Sequence, residues 1–380
     1  MIQKILDRNY VLSSSLGNFF KNHSQKEKNS KKQLVFKCFG AILSALVVWE
    51  LILENTMEKS PGSITHPVLG KIAKPGINVQ GEEGFSKTKI NDLGMRGENI
   101  LPKPKNKYRI LAFGDSYTRA LQVADNKTYS YLLQEALKNK YKFDIETINA
   151  GRDGASPAYY IHLASFYNSL IEPNSVIIQV TDQDFTEDIL NKNKEFYVAK
   201  DGNSWQTKKN ETSLSDDALS QIFLVKFPQL RFMLEYSVLR VGGKNLQKLL
   251  GTKENKLSLP GADSSQKKKS PDLSRYDAVI DWTVENIKNK YPKVVILYLP
   301  DYNNVNQSSS QIENALNKYT AKHKVDFVNM REDFINYYQI NRQRVHGFNN
   351  TVPGTGHVNE VGNSLTAERL AVIFETRILK

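Results

Sequence analysis

Five short runs of β-branched and apolar residues punctuate the chain from Tyr108 onward: Arg109–Phe113, Phe143–Asn149, Ser175–Val180, Lys293–Leu299 and Val325–Val328. Most are separated by stretches with apolar residues at helical spacing, such as Tyr129–Leu137, Tyr159–Leu170 and Ile280/Val284/Ile287. A last helical stretch, Ala367–Ile378, closes the chain. Strands that are apolar along their whole length have to be buried on both faces. Their alternation with amphipathic helices predicts a parallel sheet with a helical layer on each side. At 380 residues, 40% hydrophobic and 24% charged, the chain can fill such a core and is not disordered throughout. No internal period marks a solenoid or propeller.

The single cysteine, Cys38, excludes an intrachain disulfide and a thiolate zinc cluster. The net charge of +12 is concentrated at the start, where residues 1–32 hold seven Lys/Arg against two Asp/Glu. Later basic runs such as Lys267-Lys268-Lys269 sit among Ser, Pro and Gly and read as solvated linker, so no nucleic-acid partner is expected. No Gly-rich phosphate loop and no metal-ligand cluster is visible, so neither cofactor nor metal is expected.

A mean hydropathy of −0.48 excludes a multi-spanning membrane protein but leaves room for one span. Leu34 to Leu53 is that candidate: twenty residues interrupted only by Lys37, Ser44 and Glu50, about 30 Å as a helix. Lys37 and Glu50 lie near its ends, where charges reach the interface, and Trp49 suits an interfacial aromatic. Basic residues precede the stretch and Glu50, Glu54 and Glu58 follow it, which places the N-terminus in the cytoplasm and the remainder outside. The expected organisation is a basic cytoplasmic tail (1–33), an uncleaved signal anchor (34–54) and a Pro/Gly-rich tether with a small irregular or β-rich lead-in (55–107). A domain at 108–380 follows. The lead-in shows no recognisable chemistry. Within the domain, residues 191–275 form a long insertion, expected to be largely helical because Ile222–Val241 is apolar.

The first predicted strand runs into Phe113-Gly114-Asp115-Ser116-Tyr117-Thr118. In open α/β sheets, sites lie outside the carboxyl ends of the strands, so Ser116 stands where a nucleophile would be placed. Asp115 and Ser116 equally suit a helix cap after a strand. A serine becomes nucleophilic only beside a base, and histidine titrates in the right range. His357, in Gly356-His357-Val358-Asn359-Glu360-Val361-Gly362, opens the last helix after the fifth strand, at the same edge of the sheet.

Together these segments resemble the SGNH (GDSL-type) hydrolase family, whose blocks occur here in order over roughly residues 108–380. The resemblance implies a flavodoxin-like three-layer α/β/α sandwich with a five-stranded parallel sheet, preceded here by one transmembrane helix. It makes Ser116 of Gly114-Asp115-Ser116 the nucleophile and a backbone oxyanion donor, and His357 the base. In Asn149-Ala150-Gly151-Arg152-Asp153-Gly154 it makes Gly154 the second oxyanion donor, with Gly151 in reserve. In Asp182-Gln183-Asp184 it makes the Gln183 amide the third. Asp115, Asp184 and Asn359 are expected in support.

Two positions depart from the family pattern. Gln183 stands where the family has asparagine, on a longer arm. Gly354 stands in the slot of the triad aspartate, so a Ser–His dyad or an acid from elsewhere, Asp333 or Glu332, would have to serve. The G-T-G-H-x-N-x-x-G form is similar to that of membrane-anchored bacterial members. The expected activity is a serine esterase acting on acetyl or short acyl esters of envelope glycans or lipids, on the periplasmic side. Two alternatives stay open: an O-acyltransferase of envelope polysaccharide that uses the same serine, and a non-catalytic binding protein on the same fold.

Overall fold

The computed structural model describes residues 32–52, 62–81, 83–141, 144–202, 204–210, 274–303 and 305–380. Helix α1 (Lys32–Ile52) has 21 residues and a mean hydropathy of 2.0, long and apolar enough to cross a membrane. Its position near the N-terminus suits a signal sequence equally well.

The lead-in takes the β-rich form of the two expected. It folds as two antiparallel hairpins, β1 (Ser63–His66) with β2 (Gly70–Ala73) and β3 (Gly76–Gln80) with β4 (Ser86–Ile90). Residues 62–100 belong to the same compact unit as the α/β domain. The buried Arg96 fastens the two parts. Its guanidinium bonds Asp125 Oδ1 and the carbonyls of Arg119, Ala120 and Val123, and its backbone bridges Asn149. A buried guanidinium is tolerable only when its donors are matched in this way.

The domain proper continues with β5 (Lys107–Gly114), α2 (Ser116–Arg119), α3 (Tyr129–Lys138), β6 (Asp144–Gly151), α4 (Pro157–His162), α5 (Ala164–Ile171) and β7 (Ser175–Val180). A hairpin of β8 (Phe196–Asp201) and β9 (Ser204–Lys209) follows. Then come α6 (Ser274–Lys290), β10 (Val294–Tyr298), α7 (Gln311–His323), β11 (Asp326–Asn329), α8 (Arg331–Asn341) and α9 (Glu360–Ile373). This hairpin opens the insertion expected to be largely helical, and Ile222–Val241, on which that expectation rests, lies outside the described residues.

Strands β5, β6, β7, β10 and β11 form one parallel sheet in the order β11-β10-β7-β5-β6. Numbered along the chain, that order is 2-1-3-4-5, the flavodoxin-like arrangement. Successive residues of β5 feed opposite layers. Leu111 and Phe113 pack with Ala158, Tyr160, Tyr167, Val284 and Leu316, whereas Ile110 and Ala112 pack with Leu133, Phe334 and Leu370. The three-layer α/β/α sandwich expected from the resemblance is therefore the observed fold. Strand order reverses between β5 and β7, which opens a crevice at their carboxyl ends.

Candidate active site

β5 ends at Gly114, where any Cβ would overlap Thr118 Oγ1 and Gln179 Oε1. That close approach lets the chain turn at once into α2. Asp115 caps the turn, its carboxylate accepting the Tyr117 N–H at 2.8 Å, while its own N–H donates to Gln179 Oε1 at 3.1 Å. Burial pushes the Asp115 carboxyl up to about 6, against the Tyr117 hydrogen bond and the charge of His357. The cap and the half-buried serine are thus compatible: Asp115 holds the turn and Ser116 meets His357.

Ser116 Oγ lies 2.8 Å from His357 Nε2. Loop packing orients the imidazole. Asn359 caps α9 through the N–H groups of Val361 and Gly362, and its amide donates to the carbonyls of Arg344 and Gly347. The Tyr117 ring meets the imidazole edge-on at 5.4 Å. On the far side, His357 Nδ1 is 2.5 Å from Glu83 Oε2, and the backbone N–H of His357 donates to Glu83 Oε1 at 2.5 Å. A carboxylate can only accept from Nδ1, so Nδ1 carries the proton and Nε2 is left to accept from the serine.

Burial disfavours the charged form of His357, but the hydrogen bond and charge of Glu83, helped by Asp115 and Asp153, outweigh it and raise its pKa. Burial likewise works against the Glu83 carboxylate. Its bonds and charge contact with His357 prevail, and its pKa is lowered. The carboxylate that meets His357 therefore comes from the β3–β4 loop and not from either position expected. Glu332 is exposed on α8, and Asp333 lies 3.9 Å from Arg369.

The glycines of Gly354-Thr355-Gly356 explain the exchange. Gly354 has φ +83°, a backbone conformation in which an aspartate would be strained, and a Cβ there would displace the exposed Arg344 side chain. A Cβ on Gly356 would overlap Glu83 Oε1: the space a side chain would fill is taken by the carboxylate. Asn350, just upstream, locks the Glu83 loop by accepting from Gly84 N at 2.8 Å and donating to the carbonyls of Gly81 and Gly84. Gly356→Ala is accordingly expected to push Glu83 off His357 and to lower kcat about 10–10²-fold, with a global stability change of about 1–3 kcal/mol. Steady-state kinetics beside urea unfolding would check this. An unchanged kcat would mean that the carboxylate contact does not matter.

The expected oxyanion donors are placed unequally. Gly151 packs against the end of α2, and its N–H donates to Asn149 Oδ1 at 3.1 Å, which engages the reserve candidate. Gly154 adopts φ +65° on the loop after β6, open except for Lys194. The Gln183 amide donates to Glu187 Oε2 at 3.1 Å, one helical turn along, and not to the serine. Asp184 is buried, accepting from Thr181 N at 2.7 Å and Thr181 Oγ1 at 3.2 Å, so it ties the turn after β7. Burial and the neighbouring Asp115 raise the Asp184 pKa well above the carboxylate range. Among the described residues, no group of three or more His, Cys, Asp and Glu side chains could hold a metal ion.

No protein-family description and no curated protein matches the chain. Solved structures similar to it include a two-domain esterase active on acetylated mannans, co-crystallised with mannopentaose. That pair shares 14% identity over 72% of this chain and 50% of the other, at a TM-score of 0.40. The chain thus spans about half the length of that esterase. An acetyl xylan esterase is 15% identical over 69% of this chain and 97% of its own, at 0.36. The lipase/acylhydrolase from Enterococcus faecalis is 13% identical over 71% and 96%, at 0.37.

Proposed function

We propose that the protein is a serine esterase that cleaves acetyl or short acyl esters through an acyl-serine intermediate. The observation that carries this reading is the continuous relay Glu83–His357–Ser116 at the carboxyl edge of the sheet. Ser116 Oγ attacks the ester carbonyl while its proton passes to His357 Nε2. Glu83 stabilises the imidazolium as it forms, and His357 then protonates the departing alcohol. Water repeats the sequence on the acyl-serine and frees the acid. The N–H groups of Ser116 and Gly154 are assigned to the oxyanion. The anchor reading of α1, with the N-terminus cytoplasmic and the catalytic domain outside, makes esters of envelope glycans or lipids the natural substrates.

The test is to treat the full-length protein in detergent with a fluorophosphonate and map the adduct by peptide mass. Attachment at Ser116, together with release of free acetate from an acetylated oligosaccharide, is the expected result. Acetate appearing on an added sugar acceptor instead would make the protein a transferase. A folded protein that takes up no label would overturn the nucleophile assignment.

A further inference from the structure

The family pattern leaves a gap at the third oxyanion donor, since the Gln183 amide is spent on Glu187. Across the crevice, the chain turns after the helical turn Asp184–Asp188, and the Lys194 N–H donates to Asn191 O at 3.0 Å. This turn carries the Lys194 side chain back over Gly154. A Cβ built on Gly154 would lie 3.5 Å from Lys194 Nζ, and no other non-neighbouring atom comes within 4 Å of that point. The ammonium therefore overhangs the open face of the glycine whose N–H is assigned to the oxyanion.

Lys194 is held there. Its Nζ is 2.8 Å from Asp188 Oδ1, and the Asp188 side chain is only 10% exposed while that of Lys194 is 37% exposed. Burial raises the Asp188 pKa and Lys194 opposes that rise, as a carboxylate serving as counter-ion to a fixed cation should. An ammonium has three N–H donors. One meets Asp188, which leaves two for a ligand.

We infer that Lys194 is a catalytic residue whose ammonium donates to the oxyanion beside Gly154, in the role the resemblance gave to Gln183. The inference rests on the esterase reading of Ser116. As negative charge develops on the carbonyl oxygen, a Lys194 N–H shortens onto it, and no proton need change owner. A charged donor favours the tetrahedral state over the neutral ester, so its effect belongs to kcat. The lysine also predisposes the site to small acyl groups, because it occupies space over Gly154 that a long chain would need.

Kinetics of the full-length protein in detergent on p-nitrophenyl acetate test this. Lys194→Met should lower kcat about 10²–10³-fold with KM changed less than about threefold, and should slow fluorophosphonate labelling in parallel. Gln183→Ala should stay within about threefold of wild type, because its amide acts elsewhere. Lys194→Met leaves Asp188 unpaired, so the double variant Lys194→Met/Asp188→Asn separates the two roles. A donor to the oxyanion is not restored by neutralising Asp188. Recovery of kcat in the double variant would show that Lys194 only balances Asp188 and would overturn the inference. So would a Lys194→Met enzyme within about twofold of wild type. If Ser116→Ala itself keeps the wild-type rate, the fault lies in the nucleophile assignment and the lysine role falls with it.

Discussion

Glu83→Gln should lower kcat about 10⁴-fold while leaving the fold intact, the size of effect seen when a triad carboxylate becomes an amide. The glutamine carbonyl can still accept from Nδ1–H, but its amide can also present a donor. The charge that stabilises the imidazolium is gone in either case. The pH dependence supplies a second readout. His357 must be neutral at Nε2 to take the serine proton, and its pKa is raised mainly by Glu83 against burial. In the wild type, kcat/KM should therefore rise with pH through a value above that of an ordinary histidine. In Glu83→Gln the acid limb should move to lower pH, since burial then acts without the opposing carboxylate. A variant within about tenfold of wild type, with an unmoved limb, would mean that Ser116 and His357 act as a dyad.

The same pair links pH to stability. His357 has a raised pKa in the folded state, so its contribution is full below the unfolded value and is lost as pH rises through the folded one. Glu83 has a lowered pKa, so its contribution is present above the unfolded value and is lost as pH falls through the folded one. The contact is strongest in the window between, where carboxylate and imidazolium coexist. Catalysis needs the imidazole form, so the most active pH lies above the pH at which this contact is strongest.

What could be read from the sequence follows from what is local in the chain. The sheet strands are buried on both faces, so their apolar runs stand out without any partner being known. Gly114-Asp115-Ser116 and His357-Val358-Asn359 are equally legible, because each carries its own local turn or cap: Gly114 and Asp115 beside Ser116, and Asn359 beside His357. Glu83 meets His357 across 274 positions, and no spacing rule reaches that far. Its trace lies elsewhere, in Gly354 and Gly356: a slot at positive φ, where an aspartate would be strained, and a missing Cβ where a foreign carboxylate fits. A paired Glu82-Glu83 between two glycines in a Pro- and Lys-rich stretch was the other trace.

The hairpin of β8 and β9 had a local signal too. Gly202-Asn203 between two strand runs is a hairpin-turn dipeptide, Gly202 takes φ +60°, and β8 is buried at alternate positions before it. The apolar Ile222–Val241 stretch masked that signal by suggesting helix for the whole insertion. Gln183 illustrates a different failure. Its type is right for an oxyanion donor, but a longer arm at the start of a helical turn reaches Glu187 four residues on, a contact favoured by helix geometry itself. Residue type reported the chemistry, and the length of the side chain decided where it went.

Ser116→Ala should abolish fluorophosphonate labelling and lower kcat roughly 10⁶-fold, to the residual rate that an oxyanion hole and binding alone support. Removal of Oγ leaves His357 Nε2 facing the crevice with its own partner Glu83 intact, so the loss is one of chemistry and not of packing. Asp115 still caps α2, and alanine is a better helix former than serine at the first helical position. The variant should therefore unfold in urea within about 0.5 kcal/mol of wild type. His357→Ala should cost a similar factor, and the double variant little more, because nucleophile and base act as one unit. Additive losses would mean that serine and histidine serve separate steps. A Ser116→Ala protein that still turns over acetyl esters at the wild-type rate would mean that the geometry between Glu83, His357 and Ser116, however complete, is not where the ester is cleaved.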